Sequence, residues 1–230
     1  MTSRPDVTVL VVAKAPLPGA VKTRLAADLG AVGAAQVAAA ALLDTLLVCG
    51  TVFDHRILAL AGDLSETGVV DTADIRREVA GWTVIGQSSG DLGHRLAQAH
   101  ADAFAHTADG RARRILQIGM DTPQVTADLL EAGARLLCQP HVDAVLGPAV
   151  DGGWWVCGTS DPVHAAALAD VPMSRSDTGE RSLTALRSAG ARVGLLSPLR
   201  DLDTLDDAKV IATEYLGLHV SAELRRQGVG

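Results

Sequence analysis

Three cationic side chains follow the first apolar run of the sequence. Residues 9–13 are apolar and rich in valine, and Lys14, Lys22 and Arg24 come next in a segment that holds two prolines and a glycine. The run predicts a buried parallel strand, which the prolines end in a loop. Open α/β sheets bind ligands at the carboxyl ends of their strands. The three cations are therefore expected to contact one anionic ligand, such as the phosphates of a nucleotide.

Two other interpretations of this segment need weighing. The phosphate-binding P-loop requires two glycines around four residues, and only Gly19 is present here. A solvated basic loop is the alternative that stays open, because lysine and arginine are common on surfaces.

Carboxylates follow two further extended segments. Asp121 comes directly after the apolar residues 115–119, before Pro123, and so belongs at the same sheet edge as the cations. Mg²⁺ and Mn²⁺ take oxygen ligands and are often held by one or two carboxylates together with substrate phosphates. Asp203 is the preferred second ligand, and Asp201 is a second choice that could instead hold a loop. A turn or helix-cap role is the alternative for Asp121.

Glycine-rich segments mark two more loops. Residues 147–158 contain Asp151, Gly152, Gly153 and Trp154, and glycines there allow a ligand to approach the backbone closely. The same residues could form a hairpin turn, and we expect turn and ligand contact together. Asp151 is a candidate to orient an acceptor hydroxyl or to act as a base. Residues 87–95 form a polar loop that opens a helix and could surround an anion with backbone amides.

The elements that must position these residues alternate between strand and helix. Strands are predicted at 56–62, 82–86, 114–119, 143–147 and 192–196, and helices at 31–48, 92–104, 127–137, 178–188 and 208–216. Asp91, Thr126 and Thr204 are predicted helix N-caps. This alternation favours one α/β domain over residues 1–230, with a mostly parallel sheet covered by helices on both faces and a flexible tail. Residues 63–77 and 161–175 are expected to be loops that shape the pocket.

Composition narrows the partners. The net charge of −7 and the aromatic content of 3% argue against nucleic acid. Three cysteines without a CxxC pair argue against a zinc knuckle or a disulfide framework, and they are expected to be buried. No ligand spacing is shown by His55, His94, His100, His106 and His164, which are expected to be surface or capping residues. The first residues lack a leader pattern and the first apolar run is short, so a soluble cytoplasmic protein without a membrane partner is expected.

Five ordered segments carry a resemblance to a known family. The chain resembles a bacterial family of glycosyltransferase-A-like proteins described as glycosyltransferases of the arsenosugar-biosynthesis type. The matching segments are residues 13–25, 87–95, 119–123, 147–153 and 201–204. The first segment is also similar to the first loop of 2-phospholactate guanylyltransferase, and molybdenum-cofactor guanylyltransferase is a more distant relative.

The resemblance implies a nucleotide-diphospho-sugar transferase domain of the GT-A type with bound Mg²⁺ or Mn²⁺. The nucleotide site that it implies consists of Ala13, Lys14, Lys22, Arg24, Gln87, Asp91 and Gly93. The implied acceptor site consists of Gly152, Gly153 and Trp154, and the implied metal ligands are Asp121 and Asp203. The implied catalytic residues are Asp121, Lys22 and Asp151. Gly119 stands where glycosyltransferases carry the first Asp of Asp-x-Asp.

Three functions are compatible with these residues. The expected one is glycosyl transfer from a nucleotide-sugar donor to a small-molecule acceptor. The alternative is nucleotidyl transfer, in which a nucleoside triphosphate is joined to a phosphorylated small molecule and pyrophosphate leaves. An alternative of another class is a nucleotide-binding protein without turnover.

Overall fold

Seven β-strands form one sheet in the computed structural model, which describes residues 4–107 and 114–230. Their order across the sheet is β3-β2-β1-β4-β6-β5-β7. The strands are β1 Thr8–Lys14, β2 His55–Ala61, β3 Thr83–Gly86, β4 Ile115–Gly119, β5 Ala144–Pro148, β6 Trp154–Thr159 and β7 Val193–Leu195. The five strands predicted after β1 are confirmed within one or two residues at each end.

One strand runs against the others. β6 is antiparallel to both β4 and β5, whereas all other pairs in the described sheet are parallel. β5 and β6 form a hairpin around residues 149–153, so the predicted turn is confirmed. The sequence analysis did not predict β6 as a strand, because its glycines and tryptophans resembled a ligand-binding loop. The result is the mixed, mostly parallel sheet expected for the fold.

Eight α-helices connect and cover the strands of the described chain. They are α1 Ala26–Val52, α2 Ala73–Val79, α3 Leu92–His106, α4 Ala127–Leu137, α5 Pro162–Ala166, α6 Thr178–Ser188, α7 Leu205–Glu214 and α8 His219–Arg226. The predicted bounds of α4 and α6 are confirmed. The prediction that residues 63–77 and 161–175 are loops is wrong in part, because α2 begins in the first segment and α5 lies in the second. The predicted caps Asp91, Thr126 and Thr204 each accept a bond from a backbone amide.

Helix α1 is long and apolar enough, by length and composition alone, to cross a membrane. However, 72% of its most apolar window is buried inside the protein. The helix therefore has the burial of a core helix, and its kink lies at Gly30, where φ is +72°. The cytoplasmic location remains a prediction.

Apolar clusters cover both faces of the sheet, and a further cluster packs the C-terminal helices against α1. Helices α1 and α4 pack on one face and α3 on the other. The further cluster contains residues of α1, α7 and α8 together with Leu202. Val229 is buried in that cluster. Cys49 and Cys157 are buried as expected, and Cys138 is partly exposed.

Candidate active site

The carboxyl ends of β1 and β4 lie side by side at one edge of the sheet. The two strands are parallel and Val12 pairs with Gly119, so Lys14 and Asp121 both emerge at this edge. The segment before α7 reaches the same place, because the amide of Leu202 donates to the carbonyl of Asp121 at 2.7 Å. Three segments far apart in the sequence thus meet where the cations and the carboxylates were expected.

Lys22 is the centre of this meeting point. Its side chain is only 3% exposed, and its ammonium donates to the carboxylate of Asp121, to the carbonyl of Leu202 and to Asp203 Oδ1 at 3.3 Å. Its backbone is left-handed, with φ +48°. Burial alone would lower the pKa of Lys22, but the carboxylates of Asp121 and Asp203 outweigh burial and raise it. Lys22 therefore stays charged and offsets one of the two negative charges of the predicted metal ligands.

The donor set at this point fits a divalent cation. The carboxylates of Asp121 and Asp203 are 51% and 39% exposed, so both can be reached from solvent. They provide two oxygen ligands from different segments, the number that Mg²⁺ commonly takes from protein when phosphates and water complete its shell. No group of three or more His, Cys, Asp or Glu residues suited to a metal exists within residues 4–107 and 114–230. An ion here would depend on ligands from its substrate.

A cationic cavity of about 470 Å³ opens beside these carboxylates. Its cations are Lys14, Lys22, Arg24 and Arg95, and Ala13 and Gln87 also line it. Arg24 Nη1 lies 3.9 Å from Asp203 Oδ2, and its side chain is otherwise exposed. The structure thus brings together most residues predicted to bind nucleotide.

Arg95 was not among the predicted site residues. Its Nε donates to Gln87 Oε1 at 3.0 Å, while the amide of Gln87 donates to the carbonyls of Ala13 at 2.7 Å and Ala59 at 2.9 Å. Gln87 therefore ties the first turn of α3 to the sheet. The signal that could have identified Arg95 is its place one turn after the N-cap Asp91, which points it back toward the strand ends.

Asp91 and Gly93 do not line either cavity at this edge. Asp91 caps α3 by accepting from the amide of His94 at 2.9 Å. A Cβ on Gly93 would lie 2.9 Å from the carbonyl oxygens of Leu168 and Ala169, so close packing explains this glycine. Their predicted nucleotide contacts find no support in this geometry.

A second cavity of about 230 Å³ adjoins the first and is acidic. Its charged lining consists of Asp121, Asp151, Asp201, Asp203 and Arg175. Of the predicted acceptor residues, Gly153 and Trp154 line this cavity and Gly152 does not. Asp151 Oδ1 accepts from the amide of Gly153 at 2.8 Å, which fixes the turn. The structure therefore gathers the predicted base and two predicted acceptor residues around one space.

Asp201 faces the acidic cavity, whereas Asp203 turns toward Lys22. Asp201 Oδ1 is buried and has no hydrogen-bond partner in the described part of the chain. Burial, and then the neighbouring Asp121 and Asp151 carboxylates, raise the pKa of Asp201 to about 8. The ranking of Asp203 above Asp201 as a metal ligand stays a prediction. The local sequence gave no sign that Asp201 would be the more perturbed acid.

His100 corrects the expectation that it is a surface or capping residue. It is fully buried on α3, and burial lowers its pKa to about 4. The imidazole is therefore neutral near pH 7. Its position is not one that local sequence could reveal, since it follows from how α3 packs on the sheet.

Comparison with solved structures gives the fold a context. The chain superposes on a proposed nucleotide-diphospho-sugar transferase from Desulfovibrio desulfuricans G20 with a TM-score of 0.80 at 24% identity, covering 97% of this chain and 96% of that one. A cytidylyltransferase from Leptospira borgpetersenii gives 0.54 at 13% identity, covering 97% and 95%. The 4-diphosphocytidyl-2C-methyl-D-erythritol synthase of Anaerococcus prevotii gives 0.56 at 11%, covering 92% and 99%.

These identities are all below one quarter, so the likenesses show a shared fold. The fold is that of the nucleotide-diphospho-sugar transferases, as expected. No curated protein matches the chain. A family model described as "Uncharacterized protein conserved in bacteria (DUF2064)" matches residues 53–175, more than half of the 230 residues, and the chain belongs to that family.

Proposed function

We propose that this protein is a metal-assisted glycosyltransferase that takes a nucleotide-sugar donor and transfers its sugar to a small acceptor. One observation carries this proposal: a cationic cavity lies beside two reachable carboxylates at the carboxyl edge of β1 and β4. Cations there attract phosphates, and the carboxylates suit the ion that accompanies them. The shared fold of nucleotide-using transferases agrees with this assignment.

The donor phosphates are assigned to the exposed cations. Lys14, Arg24 and Arg95 line the cavity with guanidinium or ammonium groups that can reach a ligand. Lys22 is already saturated by oxygen acceptors, so its first task is to hold Asp121 and Asp203 in place. The backbone of Ala13 and the amide of Gln87 shape the floor of the cavity.

Asp121 and Asp203 would hold Mg²⁺ or Mn²⁺. When bound, the ion would supply positive charge that stabilises the phosphate leaving group. The chain itself would orient the acceptor through Gly153 and Trp154, and Asp151 would take the proton of the acceptor hydroxyl. Trp154 is held for this by a hydrogen bond from its Nε1 to Ser182 Oγ at 3.1 Å.

The test is a binding and turnover panel. Calorimetry with nucleoside triphosphates and nucleotide-sugars, each with and without Mn²⁺, should show metal-dependent binding of a nucleotide-sugar, followed by release of nucleoside diphosphate when acceptor is present. Failure of every nucleotide to bind would contradict the proposal. Binding without consumption of donor, with metal and an acceptor pool present, would favour the non-catalytic alternative.

Nucleotidyl transfer is the second candidate. The density of cations in the larger cavity favours it, because a triphosphate carries more charge than a diphosphate sugar. The cytidylyltransferase likenesses share the same fold. Release of pyrophosphate from a nucleoside triphosphate, with no nucleoside diphosphate released from any nucleotide-sugar, would select this reaction.

A further inference from the structure

The two adjoining cavities share a wall and differ in charge. Asp121 and Asp203 line both. Beyond that wall, the cationic cavity adds Lys14, Arg24 and Arg95, while the acidic cavity adds Asp151, Asp201 and Arg175. Arg175 is exposed and its Nε lies 3.6 Å from Asp177 Oδ1, so part of its charge is already balanced. The two halves of the cleft therefore select different chemical groups.

A buried hydroxyl in the acidic cavity also points to a ligand. Thr122 lines the cavity and is only 1% exposed. Its Oγ1 has no hydrogen-bond partner among the described residues. Leaving a buried hydroxyl unpaired costs free energy that a ligand or bound water would recover. This atom is independent of the acidic side chains and lies in the turn after β4.

The charged lining is mostly acidic, with four aspartates against Arg175. The carboxylate of Asp151 accepts hydrogen bonds, and Thr122 Oγ1 can do so. A phosphate offers acceptor oxygens and negative charge, so it would meet acceptors and like charge. A hydroxyl or ammonium group offers the donors that this lining needs.

From this we infer that the acidic cavity binds a small hydroxyl-bearing acceptor that carries no phosphate group, an inference that rests on the proposed glycosyl transfer. Its volume of about 230 Å³ lies below the roughly 300–1,000 Å³ of pockets for drug-sized ligands, so the acceptor is of monosaccharide size or smaller. The cavity thereby disfavours the second candidate as stated above, in which the nucleotide is joined to a phosphorylated small molecule.

The transfer step balances as follows. The acceptor oxygen forms a bond to the anomeric carbon of the donor sugar, and the bond from that carbon to the phosphate oxygen breaks. The nucleoside diphosphate leaves with the bonding electrons. The hydroxyl proton passes to the carboxylate of Asp151, which lines the cavity.

The experiment compares alcohols with their own phosphate esters. Protein with Mn²⁺ and a nucleotide-sugar that calorimetry shows to bind is incubated with glycerol, ribose, glucose and ethanolamine, or with glycerol 3-phosphate, ribose 5-phosphate, glucose 6-phosphate and phosphoethanolamine. Mass spectrometry should find glycosylated product from the first set only. Product from the esters at equal or greater yield would overturn the inference, as would donor binding with product from neither set. Absence of donor binding would instead count against the proposed function.

A variant tests the cavity itself through binding. Asp151→Asn should narrow the preference for glucose over glucose 6-phosphate by about 5- to 20-fold, since it removes one charge that repels the ester. Intrinsic tryptophan fluorescence, to which Trp154 and Trp155 of the cavity contribute, reads both affinities. Asp128→Asn, exposed on α4 outside both cavities, should leave the ratio unchanged. An unchanged ratio in Asp151→Asn, with folding retained, would contradict the inference.

Discussion

Lys22 and a metal ion would require the same oxygens. The ammonium already contacts Asp121 and Asp203, which are the carboxylates suited to Mg²⁺ or Mn²⁺. Lys22→Met keeps much of the side-chain volume and removes the charge. We expect the free energy of unfolding in metal-free buffer to fall by about 1.5–3 kcal/mol, the usual worth of hydrogen bonds to charged groups.

Manganese should reverse that loss. In Lys22→Met the two carboxylates have no competing ammonium, so Mn²⁺ should raise the melting temperature of the variant more than that of the wild type. Thermal unfolding with and without the ion measures this. If Mn²⁺ shifts both proteins equally, Lys22 and the metal do not share Asp121 and Asp203.

Arg24 has a more exposed position and a simpler expected effect. Arg24→Ala should weaken nucleotide binding about 10- to 150-fold through loss of a charge-assisted hydrogen bond to phosphate. Binding of the matching nucleoside should be unaffected. Arg135→Ala is the control, because Arg135 pairs with Glu131 on α4 away from the cleft. Equal losses for nucleoside and nucleotide in calorimetry would mean that the change damaged the fold.

His100 makes stability depend on pH. Its pKa is about 4 in the folded protein and about 6.5 when unfolded, so the unfolded state binds the proton first as pH falls. The contribution of His100 to the free energy of unfolding is therefore highest above pH 6.5 and falls between pH 6.5 and about pH 4. At about 1.4 kcal/mol per pKa unit, this fall amounts to roughly 3 kcal/mol. Urea denaturation of wild type and His100→Leu at pH 7 and pH 5 should show the smaller pH dependence in the variant.

At the scale of elements, the β5–β6 hairpin positions Asp151 and Trp154 by docking on α6. The amide of Gly179 donates to the carbonyl of Gly152 at 2.7 Å. A Cβ on Gly152 would lie 1.9 Å from the carbonyl oxygen of Ser176, and φ there is +92°. Both conditions require glycine at this turn.

Gly152→Ala should therefore lower the free energy of unfolding by more than the positive φ of this residue alone explains. Gly190 is the matched control, with φ +89° and open space around its Cβ position. Gly190→Ala should cost about 1–2 kcal/mol for the left-handed angle, and Gly152→Ala about 1–3 kcal/mol more for overpacking. Urea midpoints of the two variants give the difference. Equal midpoints would show that the turn moves away from α6 without cost.

Local signals in the sequence predicted local structure well. Thr204 and Asp207 form the reciprocal cap of α7, with Asp207 Oδ2 accepting from Thr204 N at 3.0 Å, because both partners lie within one turn. The strand ends were predicted in the same way, from apolar runs that stop at glycine or proline. These features depend on neighbours in the chain.

Contacts between distant residues could not be predicted. The sequence predicted that Lys22 contacts phosphate and that Asp121 and Asp203 bind metal. In the structure Lys22 contacts both carboxylates, although it lies 99 positions from Asp121 and 181 from Asp203 in the sequence. The unpaired hydroxyl of Thr122 also depends on how the turn after β4 packs, which periodicity does not reveal. Most of the predicted charges lie at the expected edge of the sheet, but their partners could not be predicted.

At the scale of the whole molecule, the end of the chain supports the candidate site. Helix α8 packs on α1, and the cluster that joins them includes Leu202. The carbonyl of Leu202 accepts from Lys22, and its amide donates to Asp121. The apolar surface of α1 and the position of Lys22 thus both depend on the C-terminal helices.

Asp44 is the polar anchor of this arrangement. It is buried on α1 and accepts from the backbone amides of His219 at 3.0 Å and Val220 at 2.8 Å, at the N-terminus of α8. The positive end of the helix favours a carboxylate there. His219 Nδ1 lies a further 2.7 Å from the same carboxylate.

Asp44→Asn should reduce the free energy of unfolding by about 1.5–3 kcal/mol, because an uncharged amide replaces the charged acceptor of these bonds. Amide hydrogen exchange should accelerate first in α8 and around Leu202, while β1 and β4 stay protected. Asp28→Asn, exposed in the first turn of the same helix, should cost no more than about 1 kcal/mol. If exchange accelerates uniformly in Asp44→Asn, α8 unfolds together with the sheet. The docking of α8 would then not be a local unfolding unit that supports the candidate site.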